Sequence, residues 1–194
     1  MDYFLTKEDF YSQYPVTRFD NLIDSNDTFW QKALRSSIEL VTGYLSTRWD
    51  TDFMFSPLLT FVLADAHLLN DRIFDNDIHY TCIQDAPINT PLADTDFFIV
   101  KDNRNPRIVE ILVDIVLYNL SPRLNNADIS EIIKERYDGN DPKQTGGAIG
   151  WLKMCVREKL SVSSPLRAEG QTDQTGNAII AINIVDAPDN KFTF

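Results

Sequence analysis

Histidine and cysteine are scarce in this chain, with two of each among 194 residues. His67 and His79 are too few to build a histidine metal cluster. Cys82 and Cys155 lie far apart in apolar surroundings, as buried thiols of a reducing compartment do. Positive charge is in short supply as well. Eighteen Lys and Arg stand against 29 Asp and Glu, a net −11, which argues against binding nucleic acid through its phosphates. The same charge suits a surface along which DNA slides without sticking. No apolar run approaches the ~20 residues of a membrane helix, and the opening MDYFLTKEDF lacks the basic stretch of a secretory signal. The patterns GxxxxGK[ST], GxGxxG and GxSxG do not occur, nor does any internal repeat. The expectation is a soluble cytoplasmic product with no cofactor and no metal.

What is present is helical periodicity around an ordinary hydrophobic content of 43%. Thr6 and Asp9, three apart, mark a helix start for Lys7 to Tyr14, ended by Pro15. An amphipathic helix follows from about Phe29 to Thr47, with Trp30, Ala33, Leu34, Ile38, Val41, Tyr44 and Leu45 on one face. Pro57 opens an expected third helix, Leu58 to Phe74. From Asp75 to Asn105 the period changes: Ile78–Ile83 and Asp96–Val100 read as two strands of a loose hairpin, separated by a breaker-rich stretch. Arg107 to Leu120 reads as a core helix ended by Ser121-Pro122. Two more follow, from Ala127 or Asp128 and from Ala148 to Leu160, either side of a glycine-bounded break. Beyond Leu160 a polar linker leads to Ala178–Val185, which reads as one strand without a hairpin partner in its own sequence. The fold expected is mainly α: a helical bundle over residues 1–160 with a small β-hairpin inserted at about 75–105, and an extended arm, 161–194, ending in a strand.

Candidate functional groups concentrate on the core helix. Only Glu110, Asp114 and Tyr118 interrupt its apolar run, and their i, i+4, i+8 spacing places them on one stripe. A helix apolar on all other sides must be enclosed by other helices or other subunits. Paired carboxylates can do acid–base work, yet no His, Lys or metal ligand accompanies these two. The stripe reads better as a polar seam paired with arginines such as Arg107, Arg123 or Arg136, or facing water. Elsewhere, Asp65, His67 and Asp71 are the nearest thing to a constellation. On a helix the first two point apart, while His67 and Asp71 can pair. Trp30, Tyr44, Trp49 and Trp151 sit at core spacing.

The order of these pieces resembles a known family. Tyr3-Phe4-Leu5-Thr6-x-Glu8-Asp9-Phe10, followed by a helix closing in Gly43-Tyr44-Leu45-Ser46-Thr47-Arg48-Trp49, looks like the N-terminal half of the small head–tail connector proteins of tailed phages. The second half is the better match. Pro106-Arg107-Ile108-Val109 leads into Val113–Leu120, then Arg123-Leu124-Asn125, Ile129–Ile132, Arg136-Tyr137-Asp138 and Ala148–Lys153 follow in the family's order. The segments cover about 3–49 and 104–162. The chain departs from the family in a longer 53–103 region, an insertion at 139–147 and the tail after Ser161.

The resemblance implies a structural virion protein rather than an enzyme. Such subunits are wedge-shaped and assemble, typically twelvefold, into a ring at the neck between capsid portal and tail, put together in the host cytoplasm. The ring would extend the DNA channel, letting DNA pass without specific binding, with portal protein and tail or further connector proteins as partners and no membrane. The seam residues Glu110, Asp114 and Tyr118 and the arm residues Ile179, Ile180, Ile182 and Ile184 are the expected interface groups. Two alternatives stand beside this: a monomeric helical adaptor that binds a partner protein through its C-terminal strand, and a small helical enzyme.

Overall fold

In the computed structural model the described residues are 3–23, 26–123, 127–140, 143 and 146–158. The arm 161–194, with Ile179, Ile180, Ile182 and Ile184, lies outside them. Among the described residues seven α-helices and four strands follow one another as α1 (Lys7–Tyr11), α2 (Val16–Ile23), α3 (Asp27–Leu45), α4 (Thr51–Met54), β1 (Leu58–Thr60), β2 (Arg72–Asp75), β3 (Ile78–Cys82), β4 (Phe98–Val100), α5 (Pro106–Leu120), α6 (Ala127–Asp138) and α7 (Gly147–Glu158).

The centre of the molecule is α5. Asn105 caps it, its side chain accepting from the amides of Arg107 and Ile108 at 2.9 and 3.2 Å, and Pro106 occupies the first turn, where no N–H is needed. Ile108, Leu120 and the unbroken run from Ile111 to Leu117 are buried. The neighbours that bury them are α1, α3, α6 and α7. The enclosure demanded by an all-round apolar helix is thus supplied by helices of its own chain. Phe4, Phe10, Phe19, Trp30 and Trp49 complete this core, with Phe10 and Phe19 stacked at 4.4 Å. The short helix α2, which presents Phe19, Leu22 and Ile23 inward, had no reading in the sequence.

The expected mainly-α bundle with a small hairpin is wrong. The chain is α+β, with a mixed four-stranded sheet in the order β1-β2-β3-β4. The error lies in Leu58–Phe74, which forms no helix. Leu58–Thr60 pairs in parallel with Arg72–Phe74, so the ends of the supposed helix are adjacent strands. Between them the backbone turns at Val62–Asp65 and Leu68–Asp71, and Asn70 takes a left-handed φ of 74°. Leu68 and Leu69, with Leu69 read as part of a buried helical face, are 64% and 53% exposed. Hydrogen bonds to partners distant in sequence outweighed a local spacing that happened to look helical. A tight hairpin also joins β2 to β3, with Asn76 and Asp77 at φ 48° and 62°, the pair of left-handed residues that a two-residue turn of matching twist requires. The loose hairpin between β3 and β4 is present as expected.

Cross-strand partners share a face, which divides the sheet cleanly. One face carries Leu58, Arg72, Phe74, His79, Thr81 and Ile99 and turns toward the helices. The other carries Leu59, Ile73, Tyr80, Cys82 and Phe98. It is closed by loops bringing Phe61, Ala86, Leu92 and Phe97, which gives the sheet a small core of its own.

Candidate functional site

The stripe on α5 meets α6 and α7. Arg107 pairs with Glu110 one turn on, and its guanidinium lies 5.8 Å from the centre of the Trp151 ring on α7. Arg136 reaches across from α6 to Asp114 at 2.6 Å, while its other contacts are the Gln13 carbonyl and side-chain oxygens at 3.2 and 2.7 Å. Tyr118 stacks on Tyr137 with ring centres 3.7 Å apart and planes 2° from parallel. Two of the three arginines proposed as seam partners are therefore in place. Within the subunit the stripe is the glue between α5, α6 and the turn after α1.

Asp114 is the chemically unusual member. Burial pushes its carboxyl up to about 6, with the Glu110 charge adding to the rise and Arg136 pulling against it. The short Arg136 contact does not win because burial of the carboxyl outweighs the pull of a guanidinium that is itself 30% exposed and screened by water. A carboxyl near 6 is poised for proton transfer, but transfer needs a place for a substrate. Among the described residues, one groove of about 280 Å³ lies between Tyr3, Trp30 and β1, one of about 330 Å³ is lined by Phe4, Leu34, Ile38 and Phe55, and one of about 390 Å³ lies between α3 and the end of α5 at Phe29, Lys32, Asn119 and Leu120. None of these three is lined by Asp114, Glu110 or Tyr118.

His67 and Asp71 do approach, at 3.9 Å, but from a loop rather than a helix. The His67 ring is packed flat on Phe61 and edge-on to Phe98, and neither ring nitrogen makes a hydrogen bond. His67 works as a flat filler of the sheet's core. Among the described residues no three His, Cys, Asp or Glu side chains come together as a metal site. Cys82 and Cys155 are both buried and unpaired.

The strongest polar cluster was missed in the sequence. Arg104 is buried, with its side chain 1% exposed, and every nitrogen of its guanidinium is used. It donates to the Phe4 carbonyl at 2.8 Å, to both Asp9 oxygens at 2.8 and 3.0 Å, and to Asp102 through Nε and Nη2 at 2.8–3.1 Å. His79 Nε2 sits 3.2 Å away. Asp9 also accepts from the Thr6 amide at 2.7 Å, so one carboxylate both caps α1 and anchors the arginine. Burial alone would lower the Arg104 pKa and raise that of Asp102. Their mutual hydrogen bonds reverse both, leaving the arginine above and the carboxylate below its ordinary value. For His79, burial and the nearby Arg104 charge together hold the imidazole below its ordinary value.

A second buried arginine, Arg72, completes the joint. It donates to Asn103 at 2.7 Å and to the Met54 carbonyl at 2.9 Å, and burial with the neighbouring Arg104 lowers its pKa to about 10. Both guanidinium groups lie 5.8 Å from the centre of the Phe4 ring. The N-terminal segment is clamped between sheet and helices by the two arginines. In chemical terms this is a fixture: every guanidinium nitrogen of Arg104, and Nε and Nη1 of Arg72, is bonded to the protein itself. No family model, curated protein or solved structure matches the chain.

Proposed function

We propose that this chain is a structural subunit of a tailed-phage neck, assembling as a ring that joins the portal to the tail and continues the DNA channel. One observation carries the reading. The two stretches that resemble the connector family are separated by more than fifty residues, yet they pack into a single body. The end of α3 with Trp49, the apolar residues of α5, Ile133 and Tyr137 of α6, and Ala148, Ile149 and Leu152 of α7 share one core. Arg136 pairs with Asp114 across it, and Asp9 of the first stretch holds Arg104 at the start of the second. Of the residues between them, Met54 of α4 and the following Phe55 join that core, and 58–100 form the sheet, attached through Arg72 and Arg104. An inserted unit on an intact helical wedge is what such a subunit would present to neighbours. The net charge of −11 suits a channel wall that repels phosphate.

A ring of one subunit type needs heterologous contacts, two different faces meeting around an axis. The test is to measure the mass of the purified protein alone and with the portal of its phage, followed by imaging of the complex. The reading expects a closed ring seated on the portal. A protein that stays monomeric in both settings and binds some other protein instead would favour the adaptor, and turnover lost in Asp114→Asn with the fold intact would favour the enzyme.

A further inference from the structure

The sheet unit, residues 58–103, carries most of the molecule's exposed greasy surface. Of the twelve large apolar side chains that are exposed among the described residues, eight belong to it. Six of these, Val62, Leu63, Leu68, Leu69, Ile83 and Ile88, sit on two loop stretches that run side by side. The Asn89 amide donates to the Leu63 carbonyl at 2.7 Å, and His67 and Ala86 exchange amide bonds at 3.0 and 2.8 Å. The Leu69 amide is held by Asp85 at 2.8 Å. Single exposed apolar residues are ordinary, but a group on adjoining segments marks a surface meant to be covered.

Charge narrows what can cover it. The same 46-residue unit holds eight aspartates against two cations, Arg72 and Lys101, and Arg72 is buried. An acidic rim opposes an anionic membrane, a nucleic acid and, above all, a second copy of the same sheet unit face to face. The loops call for an apolar occupant, and the rim for one without negative charge. Residues 178–185, Ala-Ile-Ile-Ala-Ile-Asn-Ile-Val, have that chemistry: no charge, and Ile180, Ile182 and Ile184 alternating, so that in an extended conformation they would fall on one side. Nineteen residues, 159–177, separate this segment from the end of α7. Extended, they span up to ~60 Å, more than the ~40 Å breadth of a body this size, so a neighbouring copy is within reach.

We infer that the apolar loops of the sheet unit, Val62–Leu69 with Ile83–Ile88, are the docking surface for residues 178–185 of a second copy of this chain. The inference rests on the ring reading only in having that second copy at hand. Each subunit would then offer one arm and one receptor, a head-to-tail link that suits a closed ring.

Paired cysteines test it on the full-length protein. One preparation carries Ile88→Cys, with Leu68→Cys as a second version, and the other carries Ile182→Cys; native Cys82 and Cys155 are buried. Mixed at the highest soluble concentration under mild oxidation, the two should give a disulfide-linked heterodimer. Adding Ile180→Asp to the arm protein should reduce its yield several-fold, with circular dichroism unchanged. No heterodimer from either receptor cysteine overturns the inference. So does a cross-link that forms only when both cysteines are in one chain, since the arm would then cover its own subunit. Rings on the portal without the cross-link would sink the arm alone; the cross-link without rings would sink the ring reading and leave the arm.

Discussion

Asp114 and Arg104 are both buried ionised groups, and the structure treats them in opposite ways. Arg104 faces two carboxylates and a carbonyl in good geometry, so removing its head group would strand Asp9 and Asp102 without their counter-charge. Breaking a buried pair in this way costs about 3–5 kcal/mol. Arg104→Met is therefore expected to lower the urea midpoint severely, and Arg104→Lys to lose much of the same amount, because a single ammonium cannot serve contacts fanned over a planar fork. Equal stability of Arg104→Lys and the wild type would show that the cluster is not holding the sheet. Asp114 has one half-wet partner and a folded-state pKa raised to about 6, against an unfolded value near ~3.9. A raised carboxyl pKa means that the folded state binds the proton more tightly. Its contribution is favourable below pH ~4 and is lost as pH rises through about 6. Relative to wild type, Asp114→Asn should gain stability as pH climbs from 4 to 7, by on the order of 2 kcal/mol. Parallel urea titrations across that range check it; a constant difference would mean that Asp114 is not protonated on folding. The seam was legible in the sequence because i, i+4, i+8 spacing survives inside any helix. Arg104 was not, since its partner Asp9 is 95 residues away and nothing local distinguishes a buried arginine from a surface one.

At the scale of elements, glycine separates tolerance from necessity. Gly43 lies inside α3 with open space where a Cβ would go, and Gly147 opens α7 at φ +58°, where a Cβ would meet the Arg136 carbonyl at 2.5 Å and that of Tyr137 at 2.7 Å. Gly43→Ala should stabilise the protein by about 0.5–1 kcal/mol through helix propensity. Gly147→Ala should destabilise it by about 2 kcal/mol or more, because left-handed backbone and contact with the end of α6 act together. Thermal melts of the two variants should move in opposite directions, and a neutral Gly147→Ala would show that the α6–α7 junction can open without cost. The long helices could be read from sequence because their burial is one-sided or total over three turns or more, as in α3 and α5. The sheet could not. Its strands are three to five residues long, too short for a period to declare itself, and β1 finds its parallel partner β2 across an irregular loop. The Asp75-Asn76-Asp77-Ile78 turn was the one available signal, a pair of residues suited to left-handed φ between apolar neighbours.

For the whole molecule, the decisive question is which cores close without help. The helical core around α5 is completed by α1, α3, α6 and α7, and the sheet's small core by its own loops. Residues beyond 158 lie outside the described ones; in sequence they include the isoleucines at 179, 180, 182 and 184. An arm docked on a second copy, as inferred above, gains its free energy from outside the subunit. Deletion of residues 161–194 is therefore expected to leave the melting temperature within about 2 °C of the intact protein, less than ~1 kcal/mol for a chain of this length. If the proposed ring reading holds, the same deletion should weaken assembly on the portal, read as the fraction of heads completed when truncated and full-length proteins compete. A truncated protein that melts far lower would place the arm in its own subunit's core. One that melts normally and assembles normally would remove the arm from the proposed assembly, leaving the contacts of the proposed ring to the helical faces.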